Sequence, residues 1–306
     1  MAKSKSAAGA KKQATRFAPI ALMAVALVWG AAFVLMKDAI KTQPIFDFLG
    51  TRFVIAAAVM ILAKPSVFRM FTKELVGKGA ILGLILGVSY VTQTVGLQVS
   101  TAAITGFITG LYVVMVPLLT WLIRKQKIDR KVIAGVALAT VGLGFISING
   151  LSFEVGQLWV VACAFFFAVH IFGLSVWSPG KDAYALTVIQ LATMGVICTA
   201  ISFIDGYQAP VGFNGWFAIL FTAVFSTALA FFVQTWAQGI MDASKVSIYL
   251  TFEVVFTAAI AVLVGQETLQ LKTIFGGLLM MGAMLIVEWP SKKNPPALVP
   301  LETFPH

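Results

Sequence analysis

Charge is what this sequence has least of. Only 11% of its 306 residues are Asp, Glu, Lys or Arg, against about 25% in an average soluble protein. With 59% of residues hydrophobic and a mean hydropathy of +0.95, polar surface is too scarce to clothe a soluble globule. Acidic residues are the scarcer sign, 12 against 22 Lys and Arg. That excess does not indicate nucleic acid, because the basic residues sit in tails and short connections between apolar runs, where the cytoplasmic loops of membrane proteins collect them. Cysteine is reduced to Cys163 and Cys198, both inside apolar runs without CxxC spacing. Buried free thiols are therefore expected, with no disulfide and no metal site. Histidine is reduced to His170 and the C-terminal His306, so His170 has no histidine partner for a metal. HExxH, GxSxG and the nucleotide loop GxxxxGK[ST] are all missing. The sequence thus offers no enzyme chemistry, no cofactor site and no ATP-binding domain.

What is present is apolar length. A stretch of about 17–25 apolar residues spans a ~30 Å hydrocarbon core, and ten occur, near 18–36, 46–63, 79–98, 102–123, 131–149, 154–177, 184–204, 213–239, 243–264 and 272–289. Turn or charged segments separate them, among them "KTQP", "SPGKD", "DGYQAPVG" and "GQETLQLK". Alternating the connections between two faces puts eighteen Lys and Arg on the face that holds both termini. Three, Lys37, Lys41 and Lys272, fall on the other face, and Arg52 lies within a span. That bias places both termini in the cytoplasm of a multi-pass protein, expected in the inner membrane of a bacterial cell. Residues 1–17 and 290–306, one basic and the other Pro-rich, read as disordered cytoplasmic tails.

The two halves of the chain, 18–150 and 151–289, resemble each other. An offset of 141 residues lays Gln93-Thr94 on Gln234-Thr235, Ala102 on Ala243, Leu122 on Leu263, Ile133 on Ile274 and Gly135 on Gly276. Five spans per half is an odd number, so the second half is inverted relative to the first. The expected fold is an all-α polytopic membrane protein of ten transmembrane helices in two inverted five-helix repeats. Secondary transporters are built this way, with the binding site near the midplane between the repeats.

Five segments in order carry a family resemblance: "ALVWGAAFVLMKDAI" (26–40), "RFVIAAAVMIL" (52–62), "GLQVSTAAITGFITGLYVVMVPLLTWLI" (96–123), "AFFFAVHIFGL" (164–174) and "STALAFFVQTWAQGIMDASKVSIYLTFEVVFTAAIAVLVGQETL" (226–269). From about Ile20 to Trp289 the sequence resembles the EamA transporters of the drug/metabolite transporter superfamily. The family's Glu-Pro-Val-Phe in the ninth span reads Glu253-Val254-Val255-Phe256 here, without the kinking proline. The resemblance implies ten helices, a central cavity lined by spans one, three, four, six, eight and nine, and export or exchange of small metabolites.

Polar groups inside spans are costly and face the bundle interior or a wet cavity. The candidates for a substrate cavity are Gln93, His170, Gln234 and Glu253, with Trp29, Tyr90, Tyr112 and Tyr249 as aromatic neighbours. Each also has a plain structural reading: glutamines as glue between helices, His170 as a packed neutral imidazole, tyrosines as packing. Gly83/Gly87 and Gly106/Gly110 match the close-packing pattern of helix contacts. Arg52, about six residues into span two, is expected to snorkel to the outer headgroups, with Asp47 as a partner; a role in binding an anionic substrate is the other reading. Glu253 sits about ten residues into span nine, roughly 15 Å deep. An ionised carboxylate there costs about 2.5–3.5 kcal/mol, so it is paired, hydrated in a cavity, or protonated. A protonatable Glu253 facing the cavity, hydrogen-bonded to Tyr or Gln from spans four or eight, is the candidate for proton coupling. A permanently protonated structural carboxyl is the other reading. The function expected is a secondary transporter of a small metabolite, an exporter or exchanger working by alternating access, as monomer or homodimer in the bilayer. The alternatives are an uptake carrier, a passive channel or an intramembrane enzyme.

Overall fold

A computed structural model of the chain describes residues 2–124, 130–149, 152–153, 155–241, 243–268 and 270–288. The C-terminal tail expected at 290–306 lies outside the described residues, as does the 150/151 boundary between the halves. The described chain is helical almost throughout, as it must be where no water satisfies the backbone. In order come α1 (Ala2–Ala39), α2 (Ile45–Ala63), a 3₁₀ turn (Pro65–Met70), α3 (Lys73–Val99), α4 (Ala102–Thr109), α5 (Tyr112–Arg124) and α6 (Arg130–Ser147). After a two-residue antiparallel pairing of β1 (Ile148–Asn149) with β2 (Ser152–Phe153) follow α7 (Val155–Trp177), α8 (Ala183–Ser202) and α9 (Gly212–Phe221). A π-helical segment (Thr222–Leu229), α10 (Ala230–Gln238), α11 (Ala243–Leu263) and α12 (Leu271–Glu288) complete the order.

Seven helical stretches are long and apolar enough to cross a bilayer: α1 from Phe17, α2, α3, α4 with α5, α7, α8, and α9 through α10. Three more apolar helices, Ile133–Gly142, Tyr249–Leu263 and Leu271–Ala283, are shorter among the described residues. Large apolar side chains such as Phe213, Leu263 and Leu271 stand on the outer surface, as on a face that meets lipid.

Three features differ from the sequence reading. The basic segment 2–16 continues α1 as helix instead of forming a disordered tail, in keeping with its content of Ala, Lys and Gln, which are good helix formers. The fourth apolar stretch is broken between α4 and α5, where Gly110 and Leu111 form a turn. The eighth carries the π-helical segment at its centre. Elsewhere the local chemistry sets the boundaries. Thr72, Thr101 and Asp182 cap α3, α4 and α8 by accepting from the backbone N–H three residues on, and Gly180 takes the φ of +73° that the SPGK turn needs.

Helix pairs pack closely where glycine allows it. At Gly83 a side chain would meet the Gln190 carbonyl of α8 at 2.6 Å, and at Gly30 it would meet Phe256 of α11 at 2.7 Å. The tightest pairings are α1 with α11, α2 with α8, α3 with α7 and α8, and α6 with α12. Connections gather at two ends. At one, Glu74 at the start of α3 pairs with Lys181 of the α7–α8 turn at 2.9 Å. At the other, Gln43 donates to the Gln208 carbonyl and Gln266 to Asp38.

Candidate functional site

The polar interior converges on a narrow, closely packed cavity of about 30 Å³, room for roughly one water molecule. Helix α1 contributes Trp29, Phe33 and Met36, α2 contributes Arg52, and α3 contributes Tyr90 and Gln93. Thr109 and Tyr112 come from either side of the α4–α5 break, and Phe167 and Ile171 from α7. Ser226 lies in the π-helical segment, Gln234 on α10, and Leu250 and Glu253 on α11. Both irregular helices thus meet the cavity at their irregular points, the arrangement discontinuous helices adopt around transporter sites.

Six of the eight candidate residues line this space: Trp29, Tyr90, Gln93, Tyr112, Gln234 and Glu253. His170 and Tyr249 do not. His170 is fully buried between α7 and α8, where its Nε2–H donates to Gln190 Oε1 at 2.7 Å. That is the packed imidazole, and its partner lies twenty residues on in another helix. Tyr249 packs against the apolar core, because Leu250 takes the cavity-facing position one turn before Glu253.

Glu253 is buried, ten residues from either end of α11, and among the described residues it forms no ion pair. The hydrogen bonds expected for it from spans four and eight are not made. The Tyr112 hydroxyl is unpartnered, and Gln234 turns its amide to Gln238 Oε1 at 3.1 Å, leaving its own Oε1 buried without a partner. Gln238 in turn donates to the Ile171 carbonyl at 2.8 Å. Buried polar atoms left unpaired cost about 1–3 kcal/mol each, so this wall holds unmet hydrogen-bonding capacity beside the carboxyl.

Arg52 is the residue whose place the sequence did not reveal. It does not snorkel outward but is 1% exposed and turned into the cavity wall. Nε donates to Thr227 Oγ1 at 2.6 Å, Nη2 to Ser226 Oγ at 2.7 Å and Nη1 to Met36 Sδ at 3.0 Å. Its guanidinium carbon stands 4.9 Å from the Tyr90 ring centroid and 5.5 Å from that of Phe53, a cation–π contact on two rings. Asp47, the expected partner, is occupied elsewhere, accepting from Ser202 Oγ and from the Gln208 N–H. The available signal was the adjacent pair Ser226-Thr227 in the middle of an apolar run. Trp29 closes the same corner, donating Nε1–H to the Ser226 carbonyl at 2.8 Å.

Both cysteines are buried and free. Among the described residues no three His, Cys, Asp or Glu side chains cluster as a metal site would require.

A many-helix membrane bundle around a buried, charge-bearing cavity describes a class of membrane transport proteins, and comparison with known proteins narrows it. The EamA-like transporter family matches twice, over residues 16–148 and 154–289. An uncharacterized transporter of Archaeoglobus fulgidus is 32% identical over 281 residues, 92% of this chain and 88% of the relative. The uncharacterized transporter YetK of Bacillus subtilis is 24% identical over 72% of this chain and 71% of its own length. One solved crystal structure superposes with a TM-score of 0.67 at 17% identity, covering 88% of this chain and 95% of that one, which shows a shared fold. This chain belongs to the EamA-like transporter family.

Proposed function

We propose that the protein is a secondary transporter that moves a small organic solute by alternating access, as an exporter or exchanger, with Glu253 carrying the coupling proton. The observation that carries this reading is the cavity. Its walls come from both EamA matches, so rocking one half against the other would alter access to it.

In this reading ten helical stretches span the membrane as two inverted repeats of five, with both termini cytoplasmic. The packing pattern supports the two-fold relation. Exchanging the halves turns the α1–α11 pairing into α7 with α4 and α5, and these also pack. It turns α3–α7 into α9–α10 with α1, and α3–α8 into α9 and the π segment with α2, all of which are in contact. The pairings α2–α8 and α6–α12 map onto themselves. Gln93 and Gln234 fall on the cavity at the same 141-residue offset that relates Tyr112 to Glu253.

The test is reconstitution. Proteoliposomes holding the purified protein are offered pooled radiolabelled carboxylates, amines and sugars with and without an imposed pH gradient. Saturable flux of one solute class, accelerated by the gradient and uncoupled from it in Glu253→Gln, is the expected result. Ohmic conductance in planar bilayers, or no saturable flux, would contradict the reading.

A further inference from the structure

The feature that asks most for a ligand is Arg52. Arginine keeps its charge at any accessible pH, and a buried charge is costly unless it is paired. Yet no carboxylate pairs with this one among the described residues, and its three hydrogen bonds go to two hydroxyls and a thioether. A guanidinium has five N–H donors; with the Tyr90 hydroxyl also within hydrogen-bonding reach, one or two are left without a protein partner on the cavity that Arg52 lines. Tyr90, stacked against the guanidinium, and the hydroxyls of Ser226 and Thr227 hold the fork in place without neutralising it. An oriented but unneutralised guanidinium fork matches the geometry of a carboxylate. Glu253 lies on the same cavity, so a second negative charge on the ligand would meet that carboxyl with no second cation among the lining residues to offset it. That favours a monoanion over a phosphate dianion. Trp29, Phe33, Tyr112 and Phe167 give the cavity an aromatic wall beside the amides of Gln93 and Gln234, which suits a ligand with an apolar part, and at about 30 Å³ the cavity must widen to admit it.

We infer that the cavity binds an amphipathic monocarboxylate, its carboxylate on the free N–H groups of Arg52 and its apolar part against the aromatic wall. This inference rests on the transporter reading for its purpose, but its test does not.

Thermal unfolding of the purified protein is measured with phenylacetate, indole-3-acetate and hexanoate, each beside its amide, and with phenyl phosphate and phenethylamine. A ligand that binds the folded state raises Tm. At least one acid is expected to do so while its amide does not. Binding should weaken by about 30-fold or more in Arg52→Gln, as for a buried charge pair that loses one partner, and less in Arg52→Lys. The acid-against-amide comparison on the unaltered protein stands even if Arg52→Gln fails to fold. Stabilisation by the amides, by phenethylamine or by phenyl phosphate in place of the acids would overturn the inference. So would acid binding that survives Arg52→Gln, or no response to any acid. Counterflow of the same compounds in proteoliposomes separates the two claims. Arg52-dependent binding without counterflow sinks the transporter reading alone. Counterflow of phenethylamine indifferent to Arg52 sinks the carboxylate assignment alone.

Discussion

At positions 141 residues apart, the two EamA repeats put the same amide, Gln93 and Gln234, on the cavity wall, yet nearby they diverge. Where the second repeat has Glu253 the first has Tyr112, and where the first has Arg52 the second has Thr193. The backbone diverges in the same neighbourhood. The first repeat breaks its fourth stretch at Gly110, while the matching α11 runs through unbroken. The second repeat relaxes into a π segment where α3 stays regular. A duplicated scaffold supplies matching faces, and single residues on them supply the chemistry. Each repeat brings to the cavity one ionisable side chain that the other lacks, so a duplicated frame encloses an asymmetric site with a cation on one side and an acid on the other.

That contrast can be broken at its strongest point by Glu253→Gln, which keeps shape and removes titration. Proton and substrate coupling free energies of about 1–3 kcal/mol correspond to roughly 5–150-fold. We expect a loss of gradient-driven flux in that range, with folding retained. The double exchange Tyr112→Glu with Glu253→Tyr moves the carboxyl to the matching face of the other repeat. If the repeats are two-fold related at the cavity, it recovers part of the flux that Glu253→Tyr alone loses. No recovery in proteoliposomes would show that the two faces are not equivalent.

Packing between the repeats is tested next. Gly30→Ala places a side chain 2.7 Å from Phe256, and overpacking of that kind costs about 1–3 kcal/mol. A lowered Tm is expected, whereas Gly77→Ala, with nothing within 4 Å on the exposed face of α3, should not lower Tm and should raise it slightly, because alanine favours a helix over glycine by about 0.5–1 kcal/mol. An unchanged Tm in Gly30→Ala would mean that α1 and α11 are not held together there. The shared amides come third. Gln93→Ala and Gln234→Ala should each weaken substrate binding by a hydrogen bond's worth, about 1 kcal/mol or roughly fivefold, and by similar amounts if the repeats serve alike. The smallest effect is at the rim. Glu74→Gln removes ion pairs to Lys78 and Lys181, but exposed pairs contribute little, and Tm should stay within error.

Much of this was legible in the sequence because the bilayer imposes strong local rules. Apolar length marked the helical stretches, and the 141-residue echo marked both the two matches and the two glutamines. The cost of charge in lipid singled out Glu253. Rotation about a helix axis was not legible. Arg52 near the end of a span is equally compatible with reaching out to headgroups or turning inward. What decides is the packing of α2 on α8 and on the π segment, which brings Ser226 and Thr227 to the guanidinium. His170 misled for the same reason, since its partner Gln190 becomes a neighbour only when α7 meets α8. The π segment had no sequence signal that period or composition would reveal.

The central claim is that the cavity shared by the repeats opens alternately to the two sides of the membrane. It is tested most directly by thiol accessibility, with cysteine at Gln93 and, separately, at Gln234 in a background where Cys163 and Cys198 are replaced by serine. A small membrane-impermeant thiol reagent is applied to right-side-out and to inside-out vesicles. The account predicts that both positions react from both sides, and more slowly when a ligand that stabilises the purified protein is present. Reaction from one side only, or no reaction at either position, would contradict it.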